Sequence, residues 1–109
     1  MRNIFMKDSD LYWTELGEGV RRKILAHNDD LMLVKVAFEK GAVGTLHQHV
    51  HVQTSYVSTG KFSYRIGEEE RILDVGDSCV IPSMTLHGCT CLEAGELIDC
   101  FTPLREDFM

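Results

Sequence analysis

At 109 residues the chain is long enough for one domain around a single core. Its formal net charge of -6 at pH 7 argues against nucleic acid or an anionic membrane surface as a partner, since both reward a basic face. No stretch is apolar enough to span a bilayer, and the charged opening MRNIFMKDSDLYW lacks the unbroken apolar run of a secretion signal, so the expected setting is the cytoplasm and the expected ligand a small molecule.

The N-terminal segment carries Ile4, Phe5, Leu11, Tyr12 and Trp13 ahead of the first clear strand. From there β-type runs and turn signals alternate: RRKILA, HNDD, LMLVKVAF, EKGAVG, LHQHVHVQTSYVS, TG, KFSYRI, GEEE, RILDV, GD and SCVIP, then HGCTCL, EAG and ELIDCF. No segment holds a helical period, and the rhythm predicts an all-β barrel or sandwich. His27, beside Asn28-Asp29-Asp30, reads as a surface residue in a turn. The acidic run Glu68-Glu69-Glu70 after Gly67 reads as a solvated hairpin tip. Pro82 falls just after a strand, where its missing N–H does least harm.

Three of the five histidines stand at alternate positions in GAVGTLHQHVHVQ, residues 41–53. Strand side chains repeat every two residues, which predicts His47, His49, His51 and Gln53 on one face and Val50 and Val52 on the other. Three converging imidazoles look like a metal site. Cys79, Cys89, Cys91 and Cys100 lack the paired C-x2-C blocks of a structural zinc site. They read as reduced, small core residues, although Cys89 and Cys91 share a strand face.

The spacing goes further than the histidine run. Gly41 is followed by five residues and then His47-x-His49, three residues, Gln53, six residues and Gly60; a second block runs Gly76, five residues, Pro82 and on to His87. These two blocks, about 41–60 and 76–91, resemble the two motifs of the cupin superfamily. The resemblance implies a small single-domain jelly-roll β-barrel over residues 1–109. One divalent metal would sit in its wider end, held by His47, His49, Gln53 and His87. Such donors suit Ni, Zn, Mn or Fe alike.

Two departures from the family pattern stand out. Gln53 occupies the place of the usual Glu, and Met84 and Cys91 replace the usual Gly and Asn. An amide in place of a carboxylate leaves the metal charge uncompensated, which makes a stronger Lewis acid and anion binder. His51 occupies a position that is not a ligand in the family; it is expected to stand behind the ligands or to line the pocket and touch substrate, or else simply to pack, displaced from the ligand face by twist or a bulge.

Within the superfamily, GVRRKILAHNDDLMLVKVAFEKG, IPSMTLHG and LIDCFTPLREDF resemble the pectin-degradation cupins that open the ring of unsaturated uronates. That likeness implies a non-redox, metal-dependent isomerase. It would linearise 4,5-unsaturated galacturonate-type monosaccharides to 5-keto-4-deoxyuronate in pectin or alginate breakdown. On the last strand Leu97, Asp99 and Phe101 share one parity and are expected to face inward. A buried aspartate there is costly unless paired or functional. Either Asp99 moves the reaction's proton and Arg105 clamps the carboxylate of the small anionic sugar, or the two form a structural ion pair. Tyr56 and Phe101 are expected to line the sugar site or to be core. The outward valines and the apolar N-terminal segment point to a homodimer. Two alternatives share the fold: an iron-dependent cupin dioxygenase, and a non-catalytic sugar-binding or regulatory cupin.

Overall fold

The computed structural model describes residues 4–109. Its strands, all paired antiparallel, are β1 (Thr14–Gly17), β2 (Val20–His27), β3 (Met32–Phe38), β4 (Val43–His47), β5 (Val52–Ile66), β6 (Glu69–Leu73), β7 (Ser78–Ile81) and β8 (His87–Thr102). Short 3-10 turns cover Asp8–Asp10 and Glu106–Phe108. The period-2 pattern of the sequence has its physical counterpart in β5, where Gln53, Ser55 and Val57 are buried while Thr54 and Tyr56 are exposed.

The two longest strands organise everything else. β5 and β8 pair from Val52↔Thr102 to Ile66↔His87, with irregular register between Val57 and Phe62. Extra residues in one strand bend a ladder and sharpen its twist. The bend falls where Gly60 has a left-handed φ of +84° and where Gly95 lies against the Thr59 backbone too closely for any Cβ. Each long strand therefore serves two sheets. One sheet runs β1, β2, β3, the C-terminal half of β8, the N-terminal half of β5, and β7; the other runs β4, the N-terminal half of β8, the C-terminal half of β5, and β6. This is the jelly roll.

The strands enclose two apolar clusters. One contains Phe38, Val57, Phe62, Ile81, Cys91 and Leu97; the other contains Met32, Val34 and Phe101 with Leu104 and Phe108 against them. Each fully buried side chain of this size stabilises the fold by roughly 1.5–3 kcal/mol relative to exposure.

The histidine run departs from the expected single strand. β4 ends at His47, residues 48–51 form a bend, and β5 begins at Val52. β4 belongs to one sheet and the start of β5 to the other, so the chain must cross between sheets at this point, and strict alternation stops there. The N-terminal segment is partly docked: Asp8 pairs with Lys23 at 3.2 Å and Lys35 at 3.1 Å, and Trp13 lies under the guanidinium of Arg21 and the ammonium of Lys23. Phe5, Tyr12, Val50 and Val52 stay exposed. His27 is half-buried rather than surface, its Nδ1–H donating to Leu25 O. Among the described residues no helix is long and apolar enough to cross a membrane.

Candidate metal centre

His47 closes β4 and His87 opens β8, and the two are partners in the ladder. His49 comes from the bend, where the Met84 N–H holds its carbonyl at 2.7 Å. Met84 adopts a left-handed φ of +59°, which explains why a glycine is the common choice at this turn. The result is a cluster whose three imidazoles offer nitrogen atoms within 4.8 Å of one another.

Backbone carbonyls set the tautomers. The Nδ1 atoms of His47, His49 and His87 meet the carbonyls of Thr45 at 2.7 Å, His51 at 2.9 Å and Thr85 at 2.8 Å. A carbonyl only accepts, so each Nδ1 carries the proton and each Nε2 turns a lone pair inward. His87 Nε2 is buried with no hydrogen-bond partner. Burial, above all, pushes the His87 pKa down to about 4 and also lowers that of His49, so both imidazoles are neutral at neutral pH, the form in which they could bind a metal.

Gln53 completes the donor set. Its Oε1 lies 3.0 Å from His49 Nε2, and its Nε2 donates to Ser55 Oγ at 3.1 Å. Ser55 in turn donates to Asp99 Oδ1 at 2.6 Å and sits 3.0 Å from the Tyr64 hydroxyl. Because the Ser55 proton goes to the carboxylate, Ser55 must accept from the amide, which fixes Oε1 toward the histidines. Two lone pairs, on Oε1 and on His49 Nε2, then face each other at hydrogen-bond distance with no proton between them. A divalent cation among these four side chains would satisfy both, together with the orphaned His87 nitrogen.

The other end of the relay is Asp99, buried but on the cavity wall, whose carboxyl is pushed up to about 6 by burial against the opposing pull of Ser55, Gln53 and the Arg105 charge. Of the two alternatives for Asp99 and Arg105, the direct ion pair is absent among the described residues. Arg105 instead grips Asp107 with two prongs, Nε to Oδ1 at 3.0 Å and Nη2 to Oδ2 at 2.7 Å, and rests on the rings of Phe101 and Phe108. His47, Gln53, His87, Asp99, Phe101 and Arg105 all line one cavity of about 310 Å³, a size suited to a small ligand.

The profile of the cupin domain matches residues 34–99. The chain is 47% identical over 111 residues to the pectin degradation protein KdgF of Dickeya dadantii (strain 3937), covering 100% of both. The chain belongs to the cupin family. Among solved structures, an RmlC-like cupin from Shewanella frigidimarina NCIMB 400 matches this cupin with a TM-score of 0.95 at 39% identity, over 99% of this chain and 97% of that one. KdgF from Halomonas sp. matches with a TM-score of 0.93 at 42% identity, over 99% of this chain and 100% of that one.

Tyr56 and His51 are placed differently from the ligand candidates. Tyr56 points out of the barrel and is 47% exposed, because it has the opposite parity from Gln53 and Ser55; the inward tyrosine is Tyr64. His51 stands beside the cluster, its ring 5.5 Å from that of His49. The bend turns its ring toward the C-terminal segment, where Nε2–H donates to Leu104 O at 3.1 Å, and its backbone carbonyl is what orients His49. Phe101 is buried as expected, its ring edge-to-face with His49 at 5.8 Å. Leu97 and Asp99 are buried beside it.

Three residues in or behind the cavity wall escape a reading of the sequence: Arg22 lines it, Ser55 holds Asp99 and Asp107 holds Arg105. Ser55 shares parity with Gln53, and Arg22 shares parity with Val20 and Ile24, so each carried a local signal; Asp107, as the partner of Arg105, carried none beyond proximity. The four cysteines are free. Cys89 faces the cavity, but burial pushes its pKa up to about 12, which makes it a poor nucleophile at neutral pH.

Proposed function

We propose that this cupin opens the ring of a 4,5-unsaturated uronate monosaccharide and releases it as 5-keto-4-deoxyuronate, with one divalent ion held by His47, His49, Gln53 and His87. The observation that carries the proposal is Asp99. It is a buried carboxyl poised near neutrality on the wall of the cavity, tied through Ser55 and Gln53 to a three-histidine cluster. The full-length likeness to a pectin degradation protein supports a uronate as the sugar.

When bound, the ion supplies Lewis acidity to substrate oxygens without electron transfer. The remaining chemistry belongs to the chain. Asp99 removes the proton of the anomeric hydroxyl as C1–O1 becomes a carbonyl and the bond from C1 to the ring oxygen breaks. The ring oxygen leaves with the bonding pair as the enolate of C5. Protonation at C4 by the same carboxyl then gives the ketone, so the net change is one proton moved from O1 to C4. A carboxyl with a pKa of about 6 is suited to both directions of transfer near neutral pH. Ser55 holds it in place, and Phe101 covers the reacting ring from the apolar side.

The test is loss of the ring-alkene absorbance of unsaturated galacturonate by metal-loaded protein, with spontaneous opening subtracted and oxygen monitored in parallel. Acceleration without oxygen uptake is expected. Uptake of oxygen with iron would favour a dioxygenase, and saturable binding without turnover would favour a sugar-binding module.

A further inference from the structure

We propose that Arg22, on β2, is the residue that selects an anionic ligand, by taking the substrate carboxylate on its free guanidinium edge; this rests on the ring-opening reading above. Arg22 lines the same cavity as Asp99 and His87. Its Nε is buried without a hydrogen-bond partner, and among the described residues it forms no ion pair. A buried, unpaired guanidinium nitrogen is costly, and such groups persist where a ligand completes them.

Arg105, the other cation of the cavity, is differently placed. Its Nε and Nη2 are already engaged by Asp107. That edge cannot at the same time hold a second carboxylate in the planar two-pronged geometry that guanidinium favours. The terminal amino groups of Arg22, unlike its buried Nε, stay accessible and without a side-chain partner. The two groups are held near each other by one ring, since Phe108 lies 3.8 Å from the Arg22 guanidinium carbon and 4.2 Å from that of Arg105. Asp107 is bonded to Arg105 and also acts on Arg22, so the two guanidinium groups and the one carboxylate leave one net positive charge between them. A carboxylate arriving there would meet Arg22 directly and the outer amino group of Arg105 behind it, with the sugar ring directed toward Asp99.

The test compares the unsaturated galacturonate monosaccharide with its methyl ester, which lacks the charge. Arg22→Gln is expected to raise KM for the acid roughly ten- to a hundredfold, the loss of charge-assisted hydrogen bonds, with a much smaller change in kcat. The KM for the ester should stay where it was. Arg22→Lys should recover part of the loss, because an ammonium keeps the charge but not the fork. A purely structural Arg22 would shift both substrates alike, and that result overturns the proposal. If Arg22→Gln does not fold, Arg22→Lys alone must still change the acid-to-ester ratio, and an unchanged ratio overturns it equally. Calorimetry with saturated galacturonate separates this inference from the reaction itself. Binding that depends on Arg22 in a protein that accelerates nothing would sustain the anion site and sink the ring-opening reading. Turnover with an Arg22-independent acid-to-ester ratio would do the reverse, and wild-type protein that neither turns over nor binds galacturonate would overturn both.

Discussion

Asp99 and Arg105 line the same cavity but take different partners: Asp99 accepts from Ser55 at 2.6 Å, while Arg105 gives both prongs of one edge to Asp107, at 3.0 and 2.7 Å. A buried carboxyl without a direct cation is a strained group, and burial pushes its pKa up to about 6. That cost suits a proton-transfer residue better than a structural one.

Removing the charge should therefore separate activity from stability. Asp99→Asn is expected to slow ring opening roughly a hundredfold to ten-thousandfold. Because the folded pKa lies above the unfolded value, the native state binds the extra proton, and the metal-free protein loses stability as pH rises from about 4 to about 6. The shift of about two units corresponds to about 3 kcal/mol. His87, held neutral down to about 4, adds stability over nearly the same range and opposes this loss. The Asp99 contribution is therefore read as a difference between apoproteins: wild type should lose stability relative to Asp99→Asn as pH rises from about 4 to about 6, with the variant at least as stable at pH 7. A variant that melts lower at pH 7 and keeps full turnover per folded molecule would return Asp99 to a structural role.

Metal content should discriminate between the histidines. Wild type is expected to hold one divalent ion per chain by elemental analysis, and His87→Ala to lose it. His51→Gln should keep the ion, since the His51 ring bonds Leu104 O and only its backbone carbonyl serves His49. Its cost should be of the order of 1 kcal/mol in stability, for one hydrogen bond. Loss of the ion in His51→Gln, measured on folded protein, would contradict this division.

Gln53→Glu should trade activity for affinity. A carboxylate in place of the amide neutralises part of the metal charge, so the ion should resist chelators better while polarising substrate less. The substitution also removes the N–H that Gln53 gives to Ser55. Slower chelator-driven metal loss together with a lower kcat is the expected pair of results; a higher kcat would argue against the Lewis-acid role.

Met84 tests the bend that carries His49. Its left-handed backbone and 54% exposure mean that little packing opposes a change to glycine. Met84→Gly should stabilise the protein by roughly 0.5–1 kcal/mol, relief of steric strain offset by the entropy of glycine, with metal content unchanged. A drop in melting temperature would assign the Met84 side chain a packing role.

Assembly is open to direct measurement. Phe5, Tyr12 and Val50 are 86%, 89% and 64% exposed on the single chain, and we propose that a second copy covers part of this apolar surface. Light scattering should report twice the 12.4 kDa chain mass; monomer at micromolar concentration would exclude the homodimer.

What the sequence determined by itself is what depends on neighbours along the chain. Strand parity is such a property, and it was enough to predict Leu97, Asp99 and Phe101 on the inner face of β8, where all three are buried. The same parity, counted from Gln53, already turns Tyr56 outward. The spacing of the two histidine blocks likewise announced a cluster, and His47, His49 and His87 do converge. The rest was decided by contacts between distant segments. The bend at 48–51 exists because β4 and β5 enter different sheets, and it is this bend that sends the His51 ring to Leu104. The choice of Asp107 over Asp99 by Arg105 depends on the 3-10 turn at Glu106–Phe108 folding back under Phe101 and Arg22. The raised Asp99 pKa has no local origin: desolvation is set by everything packed around a group, and only the closed barrel supplies it.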